Sequence, residues 1–248
     1  MAPLASTPDL PPAAASTPVA AAGNAIRQEV AFSASLLRHW GILLAAIGGM
    51  LMLPLWGFAE IAGEIRQREA IVFDAPILHF ARDLTSARLD SIFLWVTRAG
   101  YLHGVVPLDV VLVLALTLKR WFREATFAAI ALAGSALINM ATKAVFARVR
   151  PSLWNSIAPE TTFSFPSGHA MGSATLACVL IGLTWKTRWR WWVAVPAVVF
   201  VGAVGFSRVY LGVHYPSDIV AGWAAAMAWA VASYLVVFRL SGRPWMTS

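Results

Sequence analysis

The sequence predicts an all-α, polytopic membrane protein with six transmembrane helices. Three observations carry that prediction. Of the 248 residues, 59% are hydrophobic and only 12% are charged, about half the charged fraction of ordinary soluble domains. Apolar runs approach the ~20 residues that cross the hydrocarbon core of a bilayer. Lysines and arginines gather in short breaks between those runs, as they do where loops stay on the cytoplasmic side.

The elements follow in order. Residues 1–30, rich in Ala, Pro, Ser and Thr, have no apolar periodicity and read as a disordered tail, leaving residues 31–248 as the membrane domain. The tail lacks the basic-then-apolar pattern of a cleaved signal peptide, so the first apolar run, Trp40–Ala59, is expected to remain as an anchor. The second span ends at Leu118 and starts between Ile92 and Val105. The third is Ala125–Phe146, the fourth His169–Trp185, the fifth Trp191–Val209 and the sixth Pro216–Phe238.

Charge orients these spans. Arg27 and Arg38 precede the first, and Lys119, Arg120 and Arg123 join the second to the third. Lys186, Arg188 and Arg190 join the fourth to the fifth, and Arg239 and Arg243 follow the sixth. All fall on one side, which the positive-inside rule makes cytoplasmic together with both termini. Trp121, Trp185, Trp189, Trp191 and Trp192 mark the same boundary as an interfacial belt. The formal net charge of +7 is thus explained by a bilayer as partner and calls for no nucleic acid. Cys178 is the single cysteine, so no internal disulfide forms. On the opposite side lie two longer loops. In the first, Ile77, Phe80, Ala81 and Leu84 have the spacing of an amphipathic helix on the membrane surface.

Three polar clusters interrupt the apolar chain: Lys143 with Arg150 and Pro151; Pro166-Ser167-Gly168-His169; and Ser207-Arg208 followed by His214 and Asp218. Under the six-span topology all three emerge on the non-cytoplasmic face. Charge beside a bilayer is costly and marks function, and Lys143 and Arg208 have no acid nearby in sequence. Phosphate is a fitting counter-charge: Arg grips two oxygens with a fork, and Lys supplies a point charge. Pro-Ser-Gly ahead of a helix adds backbone N–H groups open to an anion. No acidic cluster for Mg²⁺ and no Cys/His set for Zn²⁺ stands out, so neither a metal nor another cofactor is expected.

KAVFARVRP, PSGH and SRVYLGVHYPSD together resemble the three motifs of the type 2 phosphatidic acid phosphatase (PAP2) superfamily, without departure. The resemblance implies a PAP2-type helical bundle from about residue 31 to the C-terminus and an integral membrane lipid phosphatase. It implies His214 as the nucleophile that becomes a phosphohistidine, Asp218 as the group orienting it, and His169 as the general acid. Lys143, Arg150 and Arg208 would hold phosphate oxygens, with Ser167 and the Gly168 N–H adding hydrogen bonds. Substrates implied are lipid phosphates or diphosphates: undecaprenyl diphosphate, phosphatidylglycerol phosphate, phosphatidic acid or the phosphates of lipid A. The implied location is a bacterial plasma membrane, with the site on its outer face. Two other readings share these residues: a lipid phosphotransferase using the same phosphohistidine, and a non-catalytic lipid-phosphate binder or transporter.

Other polar residues carry less. Asn139 is read as bonding a neighbouring helix, Asp109 as bonding a helix partner such as a Trp N–H, and Arg148 as touching lipid headgroups. His39, His79 and His103 are read as surface or interface residues, and Gly202 and Gly205 as sites of tight helix packing.

Overall fold

The computed structural model describes residues 18–241, and their regular structure is helical throughout. The helices are α1 (Pro18–Gln67), α2 (Asp74–Asp83), α3 (Ala87–Ala99), α4 (Val105–Leu118), α5 (Phe122–Phe146), α6 (Gly168–Thr184), α7 (Arg190–Tyr210) and α8 (Pro216–Ser241). The chain divides into two units, residues 1–47 and 48–248. In the first, residues 18–47 are helical, so the expected tail overlaps α1 from Pro18, and its first 17 residues lie outside those described. The His39 side chain and Arg243 also lie outside the described residues.

In the second unit α6 is the central helix, packed against α5, α7 and α8. Its sequence explains why. Ser167 caps it, its hydroxyl accepting the Ala170 N–H at 3.4 Å, which satisfies one of the free donors of the first turn. Small residues (Ala170, Ser173, Ala174, Ala177) then line its buried surface, and small residues let helix backbones approach closely in a membrane. Ser135 of α5 and Thr175 of α6 share a hydrogen bond of 2.7 Å across that contact. Where α5 meets α8, Trp229 Nε1 donates to the Ala131 carbonyl at 3.1 Å, and its ring fills the space beside Gly134, where a Cβ would stand 2.4 Å away. Gly205 meets Trp223 of α8 in the same manner, at 2.4 Å, whereas among the described residues nothing lies within 4 Å of a Cβ at Gly202. The packing role assigned to both glycines thus holds for Gly205 alone.

The second expected span, whose start lay open between Ile92 and Val105, is α4 from Val105 to Leu118, with α3 a separate helix before it. α3 stops at Gly100 and α4 starts after Gly104, whose backbone (φ −131°, ψ −69°) leaves a Cβ only 2.1 Å from the Ala99 carbonyl oxygen. α3 packs on α7 through Phe93, whose ring lies 5.4 Å from Phe206 and 4.4 Å from Tyr210. The surface helix expected around Ile77 is α2. Leu78 and Ala81 are buried against Val209 and Ile219, and Ile77, Phe80 and Leu84 point outward.

Among the described residues, three helices are long and apolar enough to cross a membrane: α5, α7 and α8 over Pro216–Phe238. α4 and α6 are apolar but have 14 and 17 residues; at about 1.5 Å per residue they fall short of a core ~30 Å thick. The six-span expectation is therefore met in part. The breaks joining α4 to α5 and α6 to α7 lie at one end of the bundle. There Trp121, Trp185, Trp189, Trp191 and Trp192 are exposed, and Lys119 and Arg188 lie over the rings of Trp121 and Trp189. The last turns of α5 and α7 and the first turns of α6 and α8 meet at the other end, where the three polar clusters are.

Candidate active site

His214 stands in the short link between α7 and α8. That link turns at Gly212, whose positive φ of 69° suits a residue without Cβ; the Trp154 ring leaves a Cβ only 2.5 Å there in any case. Helix α8 then begins with Pro216, which fits a first-turn position because its missing N–H is not needed there. Asp218 follows one turn from His214 and both are fully buried. His214 Nδ1 lies 3.4 Å from Asp218 Oδ2 and 3.3 Å from Ser164 Oγ. Its Nε2 faces Arg150 Nη1 at 3.0 Å. A guanidinium can only donate, so Nε2 is an acceptor and the neutral ring carries its proton on Nδ1, toward Asp218. Burial, opposed by the Asp218 carboxylate, pushes the His214 pKa down to about 4. A buried neutral imidazole with a free-electron-pair nitrogen aimed at cations is equipped for attack on phosphorus.

Around that nitrogen the cations converge. Arg150 donates through Nη1 to the Val213 carbonyl at 2.6 Å and through Nε to Thr162 O at 2.6 Å. Lys143 Nζ and Arg150 Nη2 both donate to the Phe163 carbonyl, which brings the end of α5 to the same point. Arg208 is 1% exposed; it donates to Thr97 Oγ1 from one terminal nitrogen and to Glu160 Oε1 from the other. Its Nε has no hydrogen-bond partner among the described residues, a buried donor left open within the cluster. Glu160 links the two arginines, since its Oε2 accepts from Arg150 Nη2 at 2.7 Å. Burial raises the pKa of its carboxyl, but Arg208 and Arg150 outweigh that and hold it below the usual range.

His169, the second residue of α6, completes the group. Its Nδ1 is 3.9 Å from Glu160 Oε1, and its ring lies against Tyr101, centroids 4.8 Å apart. A chain of contacts thus runs from His214 through Arg150 and Glu160 to His169. Ser167 and Gly168 serve the turn itself. The Ser167 N–H donates to the Asp218 carbonyl at 3.1 Å, its hydroxyl caps α6, and a Cβ on Gly168 would come within 3.2 Å of Asn139 Oδ1. Asn139 donates to Pro166 O at 3.2 Å and so ties α5 to the start of α6, the helix-bonding role read for it.

Several residues matter that sequence reasoning did not single out, or placed elsewhere. Arg148 does not face headgroups. It donates to Asp218 Oδ1 at 2.6 Å, to Ser217 Oγ at 2.8 Å and to Asp74 Oδ2 at 2.9 Å, and it lies over the Tyr215 ring at 4.0 Å. Two carboxylates draw it inward, and one of them, Asp218, is the partner of His214 Nδ1. Asp74 also accepts from Ser217 N and Oγ at 2.9 and 2.7 Å; being 143 residues away, it carries no sequence signal. Glu160 did carry one, as the sole acid in the loop between α5 and α6. Asp109 does not meet the Trp N–H expected for it. Its Oδ1 has no partner among the described residues, and it lines a cavity of about 70 Å³ together with Tyr101, Ser135, Asn139 and Gly168. His79 and His103 are exposed, as read.

Comparison with known proteins agrees with this arrangement. The family model described as the PAP2 superfamily matches residues 110–241. An undecaprenyl-diphosphatase of Sulfolobus acidocaldarius is 31% identical over 144 residues, 55% of this chain and 65% of that protein, just under two thirds of its length. Phosphatidylglycerophosphatase B of Bacillus subtilis is 28% identical over 175 residues, 68% of this chain and 86% of that protein. Among solved structures, the transmembrane PAP2-type phosphatidylglycerolphosphate phosphatase of Bacillus subtilis aligns with a TM-score of 0.65 at 24% identity, over 75% of this chain and 94% of that one. The fold, the apolar helices and a family match over more than half of the sequence lead to one conclusion: this chain is an integral membrane member of the PAP2 superfamily.

Proposed function

We propose that this protein is a lipid phosphatase that removes a terminal phosphate through a phosphohistidine on His214, with no metal ion. The observation that carries the reading is the His214 ring: neutral, its proton directed at Asp218, its Nε2 facing the guanidinium of Arg150. In the first transfer Nε2 forms a bond to phosphorus as the bond from phosphorus to the leaving oxygen breaks. His169 gives its proton to that oxygen. The Nδ1–H of the ring, now cationic, is stabilised by the Asp218 carboxylate, and Arg148 keeps that carboxylate in place. In the second transfer His169 takes a proton from water, the water oxygen bonds to phosphorus, and the P–N bond breaks to release inorganic phosphate. Lys143, Arg150 and Arg208 stabilise the charge on the non-transferred oxygens.

The substrate class is a lipid phosphate or diphosphate. The activities of the relatives support this, as do the apolar helices that surround the cations. Undecaprenyl diphosphate and phosphatidylglycerol phosphate lead the panel, followed by phosphatidic acid and the phosphates of lipid A. The end of the bundle bearing Lys119, Arg188 and the exposed tryptophans is read as cytoplasmic in a bacterial plasma membrane, which puts the site at the outer face.

The test is release of inorganic phosphate by the purified full chain from that lipid panel, with a chelator present throughout. The wild type should release phosphate, orthovanadate should inhibit, and His214→Ala should be inactive. Release that requires a divalent ion, or that survives the substitution, contradicts the mechanism.

A further inference from the structure

The anion cradle already holds an anion of the protein's own. Glu160 puts one carboxylate oxygen on Arg208 and the other on Arg150 at 2.7 Å, with the first also 3.9 Å from His169 Nδ1. These are the two guanidiniums that a phosphate must engage and the imidazole that must reach its leaving oxygen. We infer that Glu160 is an internal competitor of the substrate phosphate, a gating carboxylate that must leave Arg150 and Arg208 before a phosphate can enter. This rests on the phosphatase reading above, because it takes both arginines as phosphate ligands.

Three features support an occupant that is displaced rather than a fixed structural pair. Glu160 belongs to the loop between α5 and α6, in a stretch without regular secondary structure, so a few backbone rotations can withdraw it. Its side chain is 27% exposed, whereas that of Arg208 is 2% exposed. Arg208 is therefore buried while its partner reaches it from the more open side. The carboxylate also leaves the cradle incompletely satisfied, because Arg208 Nε has no partner among the described residues. A tetrahedral phosphate, with more oxygens than a carboxylate, can take that donor as well as the two Glu160 now uses, and can face Lys143 too. Charge-assisted bonds to a phosphate dianion exceed those to a monoanionic carboxylate, so the exchange favours substrate once it arrives.

The physical consequence has two sides. Without substrate, Glu160 keeps three closely spaced cations and a buried imidazole from facing one another uncompensated. With substrate it costs affinity, since the phosphate must displace an ion pair. Weakly charged anions should then be excluded more strongly than phosphate dianions, which makes Glu160 a specificity element as well as a gate.

Binding of inorganic phosphate and of orthovanadate to the full chain, by titration calorimetry in detergent, tests this with Glu160→Gln and Glu160→Asp. The glutamine variant is nearly isosteric and lacks the charge; the aspartate variant keeps the charge on a shorter stem. Thermal unfolding of each variant establishes that it is folded, and the partly exposed loop position favours this. Glu160→Gln should bind both anions at least tenfold more tightly than wild type, with Glu160→Asp in between, and should lower the KM for a lipid phosphate. Unchanged or weaker anion binding by Glu160→Gln overturns the gate, and the phosphatase reading survives if the wild type still releases phosphate. A loss of kcat with unchanged anion binding also overturns it, since Glu160 would then act on the chemistry. Failure of wild type and variants alike to bind either anion, together with no phosphate release, overturns both.

Discussion

The two ends of the site are held differently. At the His214 end the imidazole and its carboxylate are sealed in. His214 and Asp218 have side-chain exposures of 1% and 0%, and Arg148 bonds Asp218, Ser217 and Asp74 in one network. At the His169 end the imidazole is 15% exposed and Glu160 27%, and the carboxylate that links them comes from an irregular loop. A nucleophile has to keep one tautomer and one direction, and a buried, fully bonded network provides that. A leaving-group acid has to admit water after the first transfer, and a looser, wetter end allows it. Rigidity and access are thus divided between two halves linked through Arg150 and Glu160.

Breaking the rigid half at its reacting atom should have the largest effect. His214→Ala should lower phosphate release by about a thousandfold or more, as loss of a covalent nucleophile does in other enzymes, measured as kcat on the preferred lipid. His169→Ala should cost about 10²–10⁴-fold on lipid substrates, the usual contribution of general acid–base catalysis. The contrast is sharper with p-nitrophenyl phosphate, whose leaving group needs no proton. There the loss at His169 should shrink while the loss at His214 stays; equal losses on both substrates would contradict the assigned roles.

The next prediction concerns the network behind the nucleophile. Arg148→Ala leaves the carboxylates of Asp74 and Asp218 without their shared cation in a buried setting. Removing one partner from such a pair costs about 3–5 kcal/mol, so the unfolding midpoint in detergent should drop markedly, and kcat should fall with KM little changed. Arg148→Lys should recover part of the loss at most, because an ammonium lacks the fork that spans the two acids. A variant with wild-type stability would mean that the network is solvated.

The smallest effect is in pH dependence. The pKa of His214 is depressed to about 4 by burial, so the ring stays neutral and nucleophilic down to that range. The acidic limb of kcat that belongs to His214 should therefore lie near pH 4, well below the ~6.5 of a free histidine. The same shift has a stability sign. The unfolded chain takes up this proton before the folded one as pH falls from about 6.5 toward 4, so the contribution of this group to stability diminishes across that window. In Arg148→Ala, with Asp218 less firmly held, the limb should move.

Much of this was legible in the sequence, for reasons that particular residues make clear. His214 and Asp218 stand four residues apart in one motif, and the resemblance to the family joined them. Lys143, Arg150, His169 and Arg208 were joined by topology, since alternate helix ends share a face. What stayed hidden depended on long-range docking: Asp74 reaches Ser217 and Arg148 only once α2 lies across α7 and α8, and Ser164 reaches Asp218 only through the course of its loop. Arg148 was misplaced because alternation with Arg150 says nothing of which carboxylates await each guanidinium. The α3–α4 break lies at the late limit of the start left open for the second span: Arg98, Gly100, His103 and Gly104 interrupt the apolar run, but only the backbone at Gly104 shows that the helix ends there. Of the periodic residues around α2, Ile77, Phe80 and Leu84 lie outward, as expected of a helix on a membrane surface, whereas the burial of Ala81 and Leu78 depends on docking against α7 and α8.

The central claim is that phosphorus is held covalently by His214 during turnover. It is tested most directly by acid-free quenching of the full chain within one turnover of a lipid carrying radiolabelled phosphate, followed by peptide mapping. The account predicts an acid-labile, alkali-stable label on the peptide containing His214, absent from His214→Ala and chased by water. Turnover without any protein-bound label, or a label on a different residue, would contradict it.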